Sequence, residues 1–417
     1  MLENLDKIDW SNLGHAYGPA EDVPGLLRDL ASPVEEERAD AMGELYGNIW
    51  HQGTVYQATA YAVPFLLELL ESPKVDGKDD ILVLLAHLAR GTSYHDVHQH
   101  LSHHKEEAKG QGWQDKVQKE LGWVGDVKAA VKAGENLYLG LLNDTDARMR
   151  DAAAYVIASL DRPLAKLAEA VWKRLEREKE ESVQVGLVMA FGFLAERTEG
   201  NTSSLLAMLI GSTSESVKLA AAMSLIQLSP DEQSEESIAM LLHAARFPGR
   251  FEAFGESIWG EVDGVELLVL NHVTQLEGNA ARAAESKMIS DLSTCSRPEA
   301  VRLAEILLRI AFRQSIRRDK IFAELSEQQQ RIVKLIADNS SVWAEKIGKG
   351  EKSRPAISMQ LRSYGLPDEE SKLYLFVHGT EFRHAFEREH GTPALEREQK
   401  RSGIGDKLKK FFGWGGR

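Results

Sequence analysis

Met149-Arg150-Asp151-Ala152-Ala153-Ala154-Tyr155-Val156-Ile157-Ala158-Ser159-Leu160 is the stretch that decides the fold. Met149, Ala152, Ala153, Val156, Ile157 and Leu160 fall at i, i+3, i+4, i+7, i+8 and i+11, one face of an α-helix. Thirty-four residues on, the same face returns as Val183, Gly186, Leu187, Ala190, Phe191 and Leu194. At the same spacing again come Val217, Ala220, Ala221, Ser224, Leu225 and Leu228. Self-similarity at a fixed period of this size marks stacked repeats, each burying its apolar face against its neighbours. The second slot is always Ala or Gly, which lets the next helix approach closely. Residues able to cap a helix precede each face: Asp144-Thr145-Asp146, Glu180-Glu181-Ser182 and Thr213-Ser214-Glu215.

Partner helices fit between these faces. Asp161 and Pro163 open one whose face is Leu164, Leu167, Ala168, Val171, Trp172 and Leu175. Weaker equivalents run through Leu205, Leu206 and Leu209, and through Ile238, Leu241, Leu242 and Ala245. The helical face recurs early, at Arg38, Ala41, Met42, Leu45, Tyr46 and Ile49, and late, at Ala300, Leu303, Ala304, Leu307, Leu308 and Ala311. After the early face, Gly53 permits a break and Pro64 stands where a first-turn proline would start the next helix. Almost nothing reads as a strand. The expected fold is an all-α solenoid of stacked antiparallel helix pairs with two insertions and a C-terminal helical cap. Its parts are helical repeats over 1–90, a His/Gly-rich insertion over 91–136 and repeats over 137–246. An aromatic and Gly-rich insertion over 247–264, further repeats over 265–345, a helical cap over 358–398 and a basic amphipathic tail over 400–417 follow.

This pattern resembles HEAT repeats, in which a polar turn leads into an apolar residue followed by a basic one. Met149-Arg150 and Val217-Lys218 keep that feature and Val183-Gln184 departs from it. The text Tyr46-Gly47-Asn48-Ile49-Trp50-His51-Gln52-Gly53-Thr54-Val55-Tyr56 with Val63-Pro64-Phe65-Leu66 is similar to bacterial HEAT-repeat-containing proteins. So are His15-Ala16-Tyr17-Gly18-Pro19-Ala20 with Val23-Pro24, and Leu361-Arg362-Ser363-Tyr364-Gly365-Leu366-Pro367. The resemblance implies the fold and a bacterial origin. It implies no activity, because that group has no settled one.

Composition narrows the classes. The net charge of −14 disfavours duplex nucleic acid, whose binding needs a basic face, and favours a partner with basic surface. Residues 400–417 carry Lys400, Arg401, Lys407, Lys409, Lys410 and Arg417 against Asp406, a local +5 that leaves −19 on the rest. No apolar run approaches the roughly 18 residues that span a bilayer. The acidic start and the single cysteine, Cys295, point to a reducing, cytoplasmic setting.

Five constellations bear on chemistry. Asn48, His51, Gln52 and Thr54 beside Trp50 and Tyr56 form a convergent polar corner, a candidate site whose side chains also suit the capping of two helix ends. His87, His95, His98, His100, His103 and His104 form a histidine-rich tract, yet no cysteine and no His-Glu-x-x-His motif accompanies it. Glu381-Phe382-Arg383-His384 and Glu387-Arg388-Glu389-His390 are Glu-x-x-His pairs six residues apart, which point in different directions on one helix. Cys295 has no nucleophile motif around it, and no phosphate loop or dinucleotide fingerprint is present. In the tail, Lys407, Leu408, Lys409, Lys410, Phe411, Phe412 and Trp414 make a short basic amphipathic segment suited to peripheral contact with an anionic membrane.

No catalytic residue, metal site or cofactor is expected. The function expected is that of a non-enzymatic protein-binding scaffold, in its specific form an immunity protein that neutralises a toxin with a basic surface. Phe251, Phe254 and Trp259 are the expected contact patch, since aromatics dominate interface hot spots. The alternatives are a HEAT-like nucleic-acid repair enzyme resembling DNA glycosylases, which a basic groove with a buried Trp–Asp pair would favour, and a membrane-recruited scaffold.

Overall fold

The structure, a computed structural model, describes residues 1–99, 104, 106–160, 165–317, 320–348 and 354–379. These are mostly helical, and their strands are confined to three two-residue antiparallel hairpins. The chain divides into two compact units, one of Met1–Ser229 with Gly249–Leu268 and one of Pro230–Pro248 with Val269–Arg417.

In the first unit the three repeated faces are the buried sides of helices Ala147–Ile157, Glu181–Leu194 and Glu215–Leu228. Side-chain caps start the outer two: Asp146 accepts from the Arg148 N–H, and Ser214 accepts from that of Val217. The middle helix packs between the other two, and the second slot explains how. Gly186 lies against the carboxyl of Asp151 on the preceding helix, so closely that a β-carbon there would overlap Asp151 Oδ1. On its other side Gly192 lies against Ser224, whose hydroxyl donates to the Val188 carbonyl at 2.9 Å. Each large aliphatic side chain that these faces bury contributes about 1.5–3 kcal/mol.

A buried ion pair ties the first turn to the second. The Arg150 guanidinium donates to both carboxylate oxygens of Glu178, at 2.8 and 2.9 Å, and to the carbonyls of Asp144 and Thr145. Burial alone would raise the Glu178 pKa, but Arg150 and the Lys179 and Glu180 N–H groups outweigh it and hold the carboxyl at about 2.

Helix Ala165–Leu175 packs on Glu181–Leu194, and Glu199–Gly211 packs on Glu215–Leu228. Upstream, Lys78–Ala89 packs on Ala147–Ile157. The His/Gly-rich insertion over 91–136 contains a 22-residue helix, Gln111–Lys132, that lies against Gln57–Glu71 and Lys78–Ala89. Residues 161–164, expected to open a partner helix, fall outside the described residues.

Pro64 does not start a helix. It stands in the middle of Gln57–Glu71, seven residues in. The start is set instead by Thr59, whose hydroxyl accepts from the Tyr56 N–H at 2.9 Å and donates to the Ile49 carbonyl at 2.6 Å. That reciprocal bonding satisfies backbone groups at the helix start without help from proline. The corner before it is also a strand pair, Trp50–His51 with Thr54–Val55.

In the second unit, helix Arg297–Ala311 buries Ala300, Leu303, Ala304, Leu307 and Leu308 as its spacing predicts. It is contacted by helices Glu235–Arg246, Gly278–Leu292 and Glu327–Ala337. Arg246 pairs with Glu299, and Arg302 donates to the Arg246 carbonyl at 2.7 Å.

Gly186→Ala tests the close packing. The change gains about 1 kcal/mol of helix propensity, but overpacking a filled core costs about 1–3 kcal/mol and here also displaces a buried carboxyl. A net loss of stability is expected in urea unfolding. Gly43→Ala in helix Glu35–Asn48, where an added β-carbon meets nothing within 4 Å, should instead stabilise by about 0.5–1 kcal/mol. Equal effects at both positions would sink the packing argument.

Candidate functional site

The Trp50–Val55 hairpin begins the candidate site. Gln52 and Gly53 form its tip with φ of 50° and 91°, left-handed values that suit a tight two-residue turn. Asn48 donates to Asp22, and the Thr54 hydroxyl lies 2.8 Å from the His51 carbonyl and 2.9 Å from the Tyr56 hydroxyl. Of the polar groups expected to form a convergent corner, Thr54 serves the turn itself, whereas Asn48 reaches Asp22 and His51 lies 3.4 Å from the Tyr17 hydroxyl.

What the hairpin positions is aromatic. Trp50 stacks on His87 of helix Lys78–Ala89, centroids 5.4 Å apart, and Tyr46 meets both rings edge-on at 5.6 and 5.5 Å. The Tyr46 hydroxyl lies 2.9 Å from His87 Nδ1. His87 meets Tyr155 at 6.3 Å, Tyr155 meets Trp259 at 4.8 Å, and Phe193 stacks on Trp259 at 5.0 Å. Six rings from five helices and one hairpin thus form a continuous row. Trp50, Tyr46, His87 and Phe193 are half-buried, whereas Tyr155 and Trp259 are buried. Beside the hairpin, Tyr17 is 70% exposed and meets His51 edge-on at 5.5 Å.

Arg90, just past the helix that carries His87, lies over this row. Its guanidinium is 4.4 Å from the Tyr155 centroid and 5.2 Å from that of Trp259, and it donates to the Tyr155 hydroxyl at 2.8 Å. Burial first, and the Arg90 charge second, push the His87 pKa down to about 4, so this imidazole is neutral at pH 7. Burial raises the Tyr155 hydroxyl to about 12 and also raises the carboxyls of Asp80 and Asp263, opposed at Asp263 by Arg90. Arg148 is tied to Asp79 at 2.5 Å and to Glu261 at 2.8 Å. The row is suited to holding flat or cationic groups against ring faces. Among the described residues no acid, base and nucleophile are brought together along it.

Beneath the row lies Asp151, 3% exposed. Its Oδ2 accepts from the Ile258 N–H at 2.7 Å, fixing the segment that carries Trp259, and its Oδ1 has no partner among the described residues. Burial drives its pKa up to about 7.

Of the residues expected at a partner surface, Trp259 belongs to this row and Phe251 and Phe254 do not. Phe251, Phe254 and Trp259 are 1%, 0% and 1% exposed, filling the interior beneath their own loop, so a partner cannot reach them without unpacking the unit. Their apolar area is spent on the core. Lys407, Leu408, Lys409, Lys410, Phe411, Phe412 and Trp414 lie outside the described residues, as do both Glu-x-x-His pairs. Of the histidine-rich tract, His95 lies 2.6 Å from Glu120, His98 bonds the Tyr94 carbonyl, and His104 packs on Trp113. Among the described residues no group of three or more His, Cys, Asp or Glu is placed to hold a metal. Burial raises the Cys295 thiol pKa, the opposite of nucleophile activation. Sequence reasoning passed over Arg90, Tyr155, Asp151 and Asp263.

No family model matches the chain, and no curated protein matches it. A solved structure similar to it is an engineered protein from a structural-genomics consortium, 16% identical, covering 95% of this chain and 100% of that one, with a TM-score of 0.28. So low a score carries no argument. No helix of the described residues is long and apolar enough to cross a membrane.

Asp151 makes a pH prediction with a definite sign. Between the ordinary aspartate value of 3.8 and about 7, the folded state keeps a proton that the unfolded chain releases. Its contribution to stability therefore falls as pH rises through that window, by about 1.4 kcal/mol per pH unit where the difference is complete. Asp151→Asn keeps an acceptor for Ile258 and removes the titration. Its melting temperature should exceed that of the parent at pH 7.5, with the gap closing towards pH 4. A gap independent of pH would show that this carboxyl is not held protonated.

Proposed function

We propose that the chain is a non-enzymatic protein-binding scaffold, a HEAT-like α-solenoid of bacterial type acting in the cytoplasm, whose aromatic row receives a basic partner. The observation that supports this most is Arg90. Its guanidinium rests on the buried Tyr155 and Trp259 and occupies those two rings itself, an example of a cation held by this row, so a basic partner is received at the half-buried end of the row. Trp50 and Tyr46 offer further half-buried rings in the same row, and the net charge of −14 steers basic surfaces towards the chain. In its specific form the partner is a toxin and the chain an immunity protein that caps it, a reading that rests on analogy with the repeat architecture.

A repair enzyme has less support. Trp259 and Asp151 are both buried but not bonded to each other, Trp259 Nε1 and Asp151 Oδ1 each lacking a partner among the described residues, and Arg148 is occupied by Asp79 and Glu261 rather than lining a basic groove.

The test is affinity purification with the full chain tagged at its N terminus, comparing the parent with Tyr17→Ala and Trp50→Ala. A single stoichiometric basic protein should be recovered by the parent. Its affinity should fall by about 2 kcal/mol, roughly thirtyfold, in Trp50→Ala. Tyr17 is exposed, so its loss should weaken binding without lowering the melting temperature. Unchanged affinity in both variants would remove the row from the interface, and recovery of nucleic acid or lipid alone would overturn the protein-binding reading.

A further inference from the structure

The second unit contains a cavity of about 340 Å³ whose chemistry is unlike that of the acidic chain around it. Its floor is apolar. Val273, Leu276 and Ala284 line it, and they are 2%, 6% and 1% exposed. They come from helices Val265–Gln275 and Gly278–Leu292 and the turn between them, where Gly278 takes a φ of 52°. Two arginines form one wall: Arg309 in the last turn of helix Arg297–Ala311, and Arg313 just beyond its end.

Both arginines are exposed, and they differ from the paired arginines of the same unit. Arg246 pairs with Glu299 and Asp291, Arg331 with Glu285, and Arg362 with Asp368. Among the described residues Arg309 and Arg313 have neither an ion pair nor a side-chain hydrogen bond. Arg297, exposed on the same helix as Arg309, also has neither, so what sets Arg309 and Arg313 apart is not the missing partner but their shared place on the cavity. Glu277 also lines the cavity and likewise forms no ion pair, so the lining carries a net single positive charge.

We propose that this cavity binds a small monocarboxylate with an apolar body. The planar donor forks of Arg309 and Arg313 match the two oxygens of a carboxylate, which a point charge would not orient. The apolar body then covers Val273, Leu276 and Ala284 and leaves no polar group of the ligand without a partner. The volume lies in the range of small-molecule sites, roughly 300–1,000 Å³. Glu277 sets the charge limit. A second carboxylate or a dianionic phosphate would meet it as a like charge, so the cavity selects monoanions. This site is independent of the aromatic row and of any protein partner.

Calorimetric titration of the full chain with octanoate tests the assignment, with octanol and suberate as comparisons. Octanoate should saturate one site per chain. Octanol, which shares the apolar body without the charge, and suberate, which adds a second carboxylate, should each bind about tenfold more weakly or less. The double variant R309Q/R313Q should lose octanoate affinity by about tenfold or more. Both residues are exposed, so the variant's urea midpoint should not move. Glu277→Gln should narrow the gap between suberate and octanoate. Absence of saturable octanoate binding, equal affinity for octanol, or undiminished binding by the double variant would each overturn the proposal.

Discussion

The contact on which the first unit depends is that between Gly186 and the carboxyl of Asp151. A glycine in the middle of a helix costs about 1 kcal/mol of propensity, and a fully buried carboxyl costs more unless it is neutral or bonded. The two costs are accepted together because each makes the other workable. Without a β-carbon at 186, the Glu181–Leu194 helix closes on Ala147–Ile157 and shuts water away from Asp151. With water gone, the carboxyl keeps its proton near neutral pH and turns its other oxygen to the Ile258 N–H. That bond holds the 258–263 helix, which in turn holds Trp259 against Tyr155 and Phe193. The Trp259 end of the aromatic row is therefore set by one missing methyl group.

Much of the first unit was legible because the repeat is a local periodicity. The faces at 149–160, 183–194 and 217–228 are set by side chains a few positions apart, and they are buried as their spacing predicts. The errors came where a local cue had a rival. Pro64 suits a first turn, but its restricted φ is also helical, and Thr59, five residues before it, supplies a stronger start. The hairpin at 50–55 is too short to show alternation, and its one cue, the Gln52-Gly53 turn, also reads as a simple break between helices.

The candidate site was harder to read, for a physical reason. Tyr46, Trp50, His87, Tyr155, Phe193 and Trp259 are spread over more than two hundred residues, and only stacking brings their rings together. Trp259 was singled out by composition, but an aromatic in a loop carries no sign of whether it faces water or core. One sign was present and unread. At the slot of Asp151 the next two repeats have Val185 and Leu219, so a carboxylate stands where the pattern calls for an aliphatic. A break in a repeat marks a position with a task other than packing. The cavity of the second unit left no such mark, since Arg309 and Arg313 look like any helix-ending basic pair.

The three repeated helices invite the view that they are interchangeable modules. Gly186 says otherwise. Its counterparts Ala152 and Ala220 carry the methyl that this interface cannot take, and Asp151 has no counterpart that could receive the Ile258 N–H. Copying the first or third helix into the second position would keep the hydrophobic period and lose the junction. Each of these two helices is specific to its neighbour, so the periodic pattern would survive an exchange that the packing would not.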